Sequence, residues 1–172
     1  GLLAYLAVES DRSHRRETLA GLLWPERPER SARLSLSQAL SRLRRIIGDR
    51  QANPPFLTIT PQTVQFNPAS DYQLDVTTFT TLLDTGKTHD HDQLETCDSC
   101  LDKLQQAVTL YQGNFLAGFS LNDSPAFEEW SVLRQEQLHR LVIETLGRLA
   151  DVYERRGAYE EAFQYAWRRV EL

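Results

Sequence analysis

SARLSLSQALSRLRRII, residues 31–47, follows closely on Leu22-Leu23-Trp24-Pro25 and decides how this chain reads. At about 100° per residue, Ala32, Leu36, Ala39, Leu40, Leu43, Ile46 and Ile47 share a helix face roughly 120° wide, the width of a core-facing stripe. The opposite face carries Arg33, Leu34, Ser37, Gln38, Ser41, Arg44 and Arg45. That face is cationic, rich in short hydrogen-bonding side chains and free of acidic residues. A solvated face ordinarily mixes both signs to form i,i+4 pairs. The expectation is a helix that meets a polyanion, set against the plainer one of a solvated scaffold face.

The net charge of −5 over 172 residues argues against nucleic acid for the chain taken whole. The charge is unevenly placed, however. Residues 1–50 hold ten Arg and no Lys against six acidic residues, whereas the remainder holds nine basic and eighteen acidic. With a Debye length of about 8 Å at physiological salt, a local field at one end survives acidity at the other. Arg also presents a planar fork suited to phosphates and guanine edges. Two domains with different tasks are expected. No apolar run approaches the roughly 18 residues of a membrane span, and no secretory segment is visible, so the expected setting is cytoplasmic, away from membranes. Without any Met, residue 1 is not a natural start, and WRRVEL stops inside a helical pattern. A piece of a longer chain is expected.

Working outward, LLAYLAV (2–8) suits a short helix, and a second runs from 13 or 14 to 23 with Leu19, Leu22 and Leu23 inward. Pro25 and Pro28 end it. The cationic helix comes next and closes at Gly48-Asp49. FLTITPQTVQF (56–66) alternates as a hairpin, Leu57, Ile59, Val64 and Phe66 on one side and Pro61-Gln62 at the turn. Three helices and a hairpin follow the order of a winged helix-turn-helix. In its docking geometry the third helix lies in the major groove. Ser37, Gln38 and Ser41 then reach base edges, and Arg33, Arg44 and Arg45 hold phosphates or read guanine. Leu34 meets thymine methyls or caps a contact with an opening sheet that this stretch lacks, and Gln62 and Thr63 at the hairpin tip approach the minor groove.

Residues 67–74 read as a linker, and the pattern beyond is helical: 75–83, a polar loop over 84–96, 100–111, a long helix from Ser124-Pro125, and 159–172 after Gly157. Leu149, Ala150, Tyr153, Gly157, Tyr159, Ala162 and Phe163 match the small and large positions of a tetratricopeptide unit, with Ala166 departing where an aromatic is usual. One such unit cannot bury its own face. It is expected to stack on the helices before it and on others after Leu172. An eight-residue linker spans only about 16 Å, and Val76, Phe79, Leu82 and Leu83 are more apolar surface than a short helix buries alone, so the two domains are expected to pack together.

The stretches LLAYLA (2–7), ETLAGLLWPERPERSARLSLSQALSRLRRIIGD (17–49), LYQGNFLAGF (110–119), FEEW (127–130) and GAYEEA (157–162) together resemble the bacterial transcriptional activator domain family, typified by the antibiotic regulatory proteins of streptomycetes. The resemblance implies a mainly α protein. A response-regulator-type winged helix-turn-helix over 1–68, lacking its usual opening strands, precedes an all-α tetratricopeptide-like helical-hairpin domain over 75–172. It implies a DNA-binding transcriptional activator whose partners are double-stranded DNA and RNA polymerase, with self-association or adjacent repeats engaging the helical domain. In such a protein the loop WPERPER (24–30) buries Trp24 and offers Glu26, Arg27 and Glu29 to the polymerase.

Cys97-Asp98-Ser99-Cys100, with His89 and His91 upstream, offers two thiolates and two imidazoles to zinc, or two thiols that stay reduced or close as a disulfide. Both alternatives stand at this point, with no metal or cofactor assigned. Catalytic signatures are missing: no Gly-rich phosphate loop, HExxH or GxSxG occurs. Glu128, Glu129, Glu160 and Glu161 sit at helix starts, where the macrodipole favours them. The chain is expected not to be an enzyme. The rival to DNA binding is a protein-interaction module of a larger signalling chain, its winged helix serving as a docking surface.

Overall fold

In the computed structural model, residues 1–88 and 97–172 are described, so His89 and His91 lie outside the described residues. Among these the chain is mainly helical, with one small sheet. The elements are α1 (Leu2–Val8), β1 (His14–Arg15), α2 (Arg16–Leu23), α3 (Glu29–Ile46), β2 (Leu57–Ile59), β3 (Thr63–Phe66), α4 (Asp75–Thr88), α5 (Asp98–Leu110), α6 (Pro125–Arg155) and α7 (Tyr159–Glu171). They divide between two compact units, Gly1–Gln73 with Gly118–Ser131, and Leu74–Ala117 with Val132–Leu172.

In the first unit the sheet is antiparallel in the order β1-β3-β2. Leu57 pairs with Phe66 and Ile59 with Val64, so the alternating apolar residues share one face. The helix expected from 13 or 14 is corrected here: His14 and Arg15 pair with Val64 and Thr63 as β1, and α2 starts at Arg16. The cause is tertiary. The Glu9 carbonyl lies 2.8 Å from Nε2 of the buried His14, and the Arg16 N–H donates to the Gln62 carbonyl at 2.9 Å. A two-residue strand has no periodicity to read.

Ala32, Leu36 and Leu40 of α3 are buried, with Ala39, Leu43 and Ile47 half-buried. Ile46, expected inward, is 79% exposed; it lies at the margin of the stripe in the last helical turn. Gly48 then takes φ +69°, and the Asp49 N–H donates to the Arg44 carbonyl at 2.9 Å, closing the helix by a left-handed cap.

A helical domain running unbroken over 75–172 left no place for residues 118–131 in the first unit. Phe127 is fully buried there, the Ser124 hydroxyl donates to the Leu22 carbonyl, and Trp130 Nε1 donates to Glu9 at 2.9 Å. The Trp130 ring also meets Tyr5 edge-on at 5.0 Å.

The core of the second unit is built from Phe79 and Leu83 of α4, Leu101, Leu104 and Val108 of α5, and Val142, Leu146 and Leu149 of α6. α4 runs five residues past the expected end at 83, to Thr88. Gly157, at φ +75°, turns α6 into α7, and the N–H groups of Gly157 and Ala158 satisfy the Glu154 and Tyr153 carbonyls. α7 docks through polar contacts. Gln105 Nε2 donates to the hydroxyls of Tyr153 and Tyr165 at 2.6 and 3.0 Å, and Arg168 donates to the Val108 and Tyr111 carbonyls at 2.7 and 2.8 Å. Those carbonyls close the C-terminal end of α5, where a cation is favoured. The repeat positions Tyr159 and Phe163 are exposed, as are Trp167 and Val170. No helix among the described residues is long and apolar enough to cross a membrane.

Candidate nucleic-acid interface

α3 presents an exposed polar face in the first unit, and its local chemistry divides into three parts. In the middle, Ser37, Gln38 and Ser41 are all exposed, beside Leu34 at 59%. Ser37 is already held: its hydroxyl donates to the Arg33 carbonyl and accepts from Arg16 Nη2, each at 2.9 Å. Gln38 and Ser41 are the side chains best placed to hydrogen-bond outward.

Toward the helix start, Arg33 Nη2 lies 2.5 Å from Glu17 and 2.8 Å from Glu29. The sequence face held no acid, but α2 supplies one and the preceding turn of α3 the other, so Arg33 is largely neutralised. Toward the helix end, Arg44 Nε donates at 2.6 Å to Asp49, whose carboxylate is fully buried and also accepts the Leu57 N–H at 2.8 Å. Arg44 thus joins α3 to the start of the hairpin. Arg45 is exposed and makes no ion pair among the described residues.

Arg30 went unnoticed in the sequence because the helix was begun at Ser31. α3 starts at Glu29, and at about 100° per residue Arg30 falls between Ser37 and Ser41 on the outward face. It is exposed and, like Arg42 at the face's margin, makes no ion pair among the described residues. Among the described residues, the cations of α3 without an ion pair are therefore Arg30, Arg42 and Arg45.

At the hairpin tip the Thr60 hydroxyl accepts from the N–H groups of Gln62 and Thr63 at 3.2 and 2.8 Å, and meets the Thr63 hydroxyl at 2.9 Å. Thr63 is spent on the turn, whereas the Gln62 side chain is exposed. In the α2–α3 connection Trp24 is half-buried and Glu26, Arg27 and Glu29 are exposed. Arg27 donates to Ser35 of α3 at 2.9 Å, and Glu29, the first residue of α3, pairs with Arg33 one turn on.

The motif 97–100 lies in the second unit. Cys97 is the residue that precedes α5 and Cys100 is buried in its first turn, with no disulfide between them. Burial, then a hydrogen bond and charge interaction with Cys97, push the Cys100 thiol above its usual range. No three His, Cys, Asp or Glu side chains converge as a metal site among the described residues.

No curated protein matches the chain. The profile of the family described as "Bacterial transcriptional activator domain" matches residues 74–172. That covers more than half the chain and all of the second unit, though less than the near-complete span the sequence resemblance suggested. The family is one of transcriptional regulators and not of enzymes. On this match, the chain belongs to the bacterial transcriptional activator domain family.

Proposed function

We propose that the protein is a DNA-binding transcriptional activator of the antibiotic-regulatory type. Its first unit acts as a winged helix-turn-helix, with α3 in the major groove of duplex DNA and the Gln62 tip at the minor groove. The second unit is a tetratricopeptide-like domain for assembly or signal input. The observation that carries this reading is the outward face of α3. Gln38 and Ser41 stand exposed between Arg30 and Arg45, which make no ion pair among the described residues, on a helix packed against α2. Short polar side chains flanked by arginines suit base edges flanked by phosphates.

In this reading Arg33 contributes less to phosphate binding than Arg30 and Arg45, because it must leave Glu17 and Glu29 to do so. Arg44 serves the fold. Glu26, with Arg27 and Glu29, faces RNA polymerase; a Glu26→Lys variant should lose activation in a reconstituted transcription assay while keeping its DNA affinity. Assembly falls to α7, whose exposed Tyr159, Phe163, Trp167 and Val170 share one face and suit a second copy of the chain or a neighbouring helical repeat.

The test is selection from a random-sequence duplex pool by the 172-residue chain, read by fluorescence anisotropy. Saturable binding with a recovered sequence preference is the expected result, and no duplex binding at low salt would defeat the reading. The docking-surface alternative draws on the exposed Leu34 and the neutralised Arg33, and it predicts that second outcome.

A further inference from the structure

We infer that Cys97 and Cys100 form a thiol–disulfide exchange site in the second unit, with Cys97 the attacking sulfur, Cys100 the resolving sulfur and a low-molecular-weight disulfide of the glutathione class the co-substrate. The inference rests on where helix geometry places the two residues. Cys97 is the N-cap of α5 and Cys100 its third helical residue, with the Cys100 and Leu101 N–H groups both donating to the Cys97 carbonyl at 3.1 Å. The two positions lie within one turn of the chain, at the spacing of a Cys-X-X-Cys pair. Here both are thiols, and they are in hydrogen-bond contact.

The two sulfurs differ as the chemistry requires. Cys97 is half-exposed at the start of α5, where a small disulfide can reach it. Cys100 is fully buried beside Leu101 and Leu104 and keeps its proton, with Lys103 and Arg148 the cations that act on it. In the first step the Cys97 thiolate attacks one sulfur of RSSR, forming Cys97–S–S–R and releasing RS⁻. In the second, Cys100 gives its proton to the solvent or the leaving thiolate and attacks the Cys97 sulfur, expelling a second RS⁻. The two protein thiols are oxidised by two electrons, and RSSR is reduced to two RSH. The ring so closed encloses Asp98, which pairs with Arg156 near the end of α6 at 2.8 Å. Oxidation therefore acts where the start of α5 meets the turn between α6 and α7 within this unit.

These are the only two cysteines in the chain, so intact mass reports the chemistry without ambiguity. The 172-residue chain is incubated with oxidised glutathione at neutral pH, quenched with acid and weighed. The wild type should lose two hydrogens with no lasting adduct. Cys100→Ser and Cys100→Ala should each trap one glutathione on Cys97. Cys97→Ser should gain an adduct at least about tenfold more slowly, because its remaining thiol is buried. Circular dichroism confirms that each variant is folded. A wild type that stays a dithiol under excess oxidised glutathione would overturn the inference. So would equal adduct formation in the Cys97 and Cys100 variants, or a disulfide formed only between chains.

Discussion

Arg44 shows how a residue can look like a ligand contact and serve the fold. Its partner Asp49 is a buried carboxylate that accepts from Arg44 and from the Leu57 N–H, tying α3 to the hairpin. Removing one partner of a buried pair leaves the other charge uncompensated. Arg44→Ala should therefore lower the unfolding free energy by about 3 kcal/mol in urea titrations of the full chain, whereas Arg45→Ala should change it by less than about 0.5 kcal/mol. Cys100 gives a second prediction at this scale. Its thiol holds the proton more tightly folded than unfolded, because burial disfavours the thiolate. Its contribution to stability is full below the unfolded value of about 8.5 and is lost as pH rises through the higher folded value. Under reducing conditions, melting temperatures measured from pH 7 to pH 10 should fall more steeply for the wild type than for Cys100→Ala.

At the scale of the element, α3 was legible because its 3.6-residue pattern is long: the stripe Ala32, Leu36, Leu40 is the buried one, and Gln38 and Ser41 are exposed. What was not legible came from other elements. The sequence could not tell that Glu17 would meet Arg33, or that Asp49 would fold back on Arg44, because those pairs exist only after the chain closes; Glu29, by contrast, lies one turn before Arg33 on α3 itself. The two-residue β1 escaped notice for the same reason, as its strand character comes from Val64 and Thr63 across the sheet. The outward face of α3 has a consequence of its own. Gln38→Ala with Ser41→Ala removes hydrogen-bonding groups but no charge. This double variant should narrow the difference between a selected duplex and a scrambled one by about 1–3 kcal/mol in competition anisotropy, while its dependence on salt stays that of the wild type.

At the scale of the whole molecule, the division into units does not follow the order of the sequence, since residues 118–131 complete the first unit. The charge shift after residue 50 and the linker over 67–74 were visible, but nothing in the pattern around Phe127 showed that its ring belongs to the earlier core. Phe127→Ala should destabilise the first unit by about 3–5 kcal/mol, and a 1–73 fragment, which lacks Phe127 and Trp130, should show no cooperative thermal transition by circular dichroism. The charge asymmetry between the Arg-bearing first segment and the acidic remainder matters most for function. Counterion release ties the number of phosphates neutralised to the slope of log K against log salt, at roughly 0.9 per phosphate. The measurement that tests the central claim most directly is this slope for the full chain on a selected duplex, beside its Arg30→Ala, Arg45→Ala variant. The account predicts a steep slope that shrinks by about two in the double variant, one for each arginine, with unchanged folding; a slope near zero, or one the double variant leaves unchanged, would contradict it.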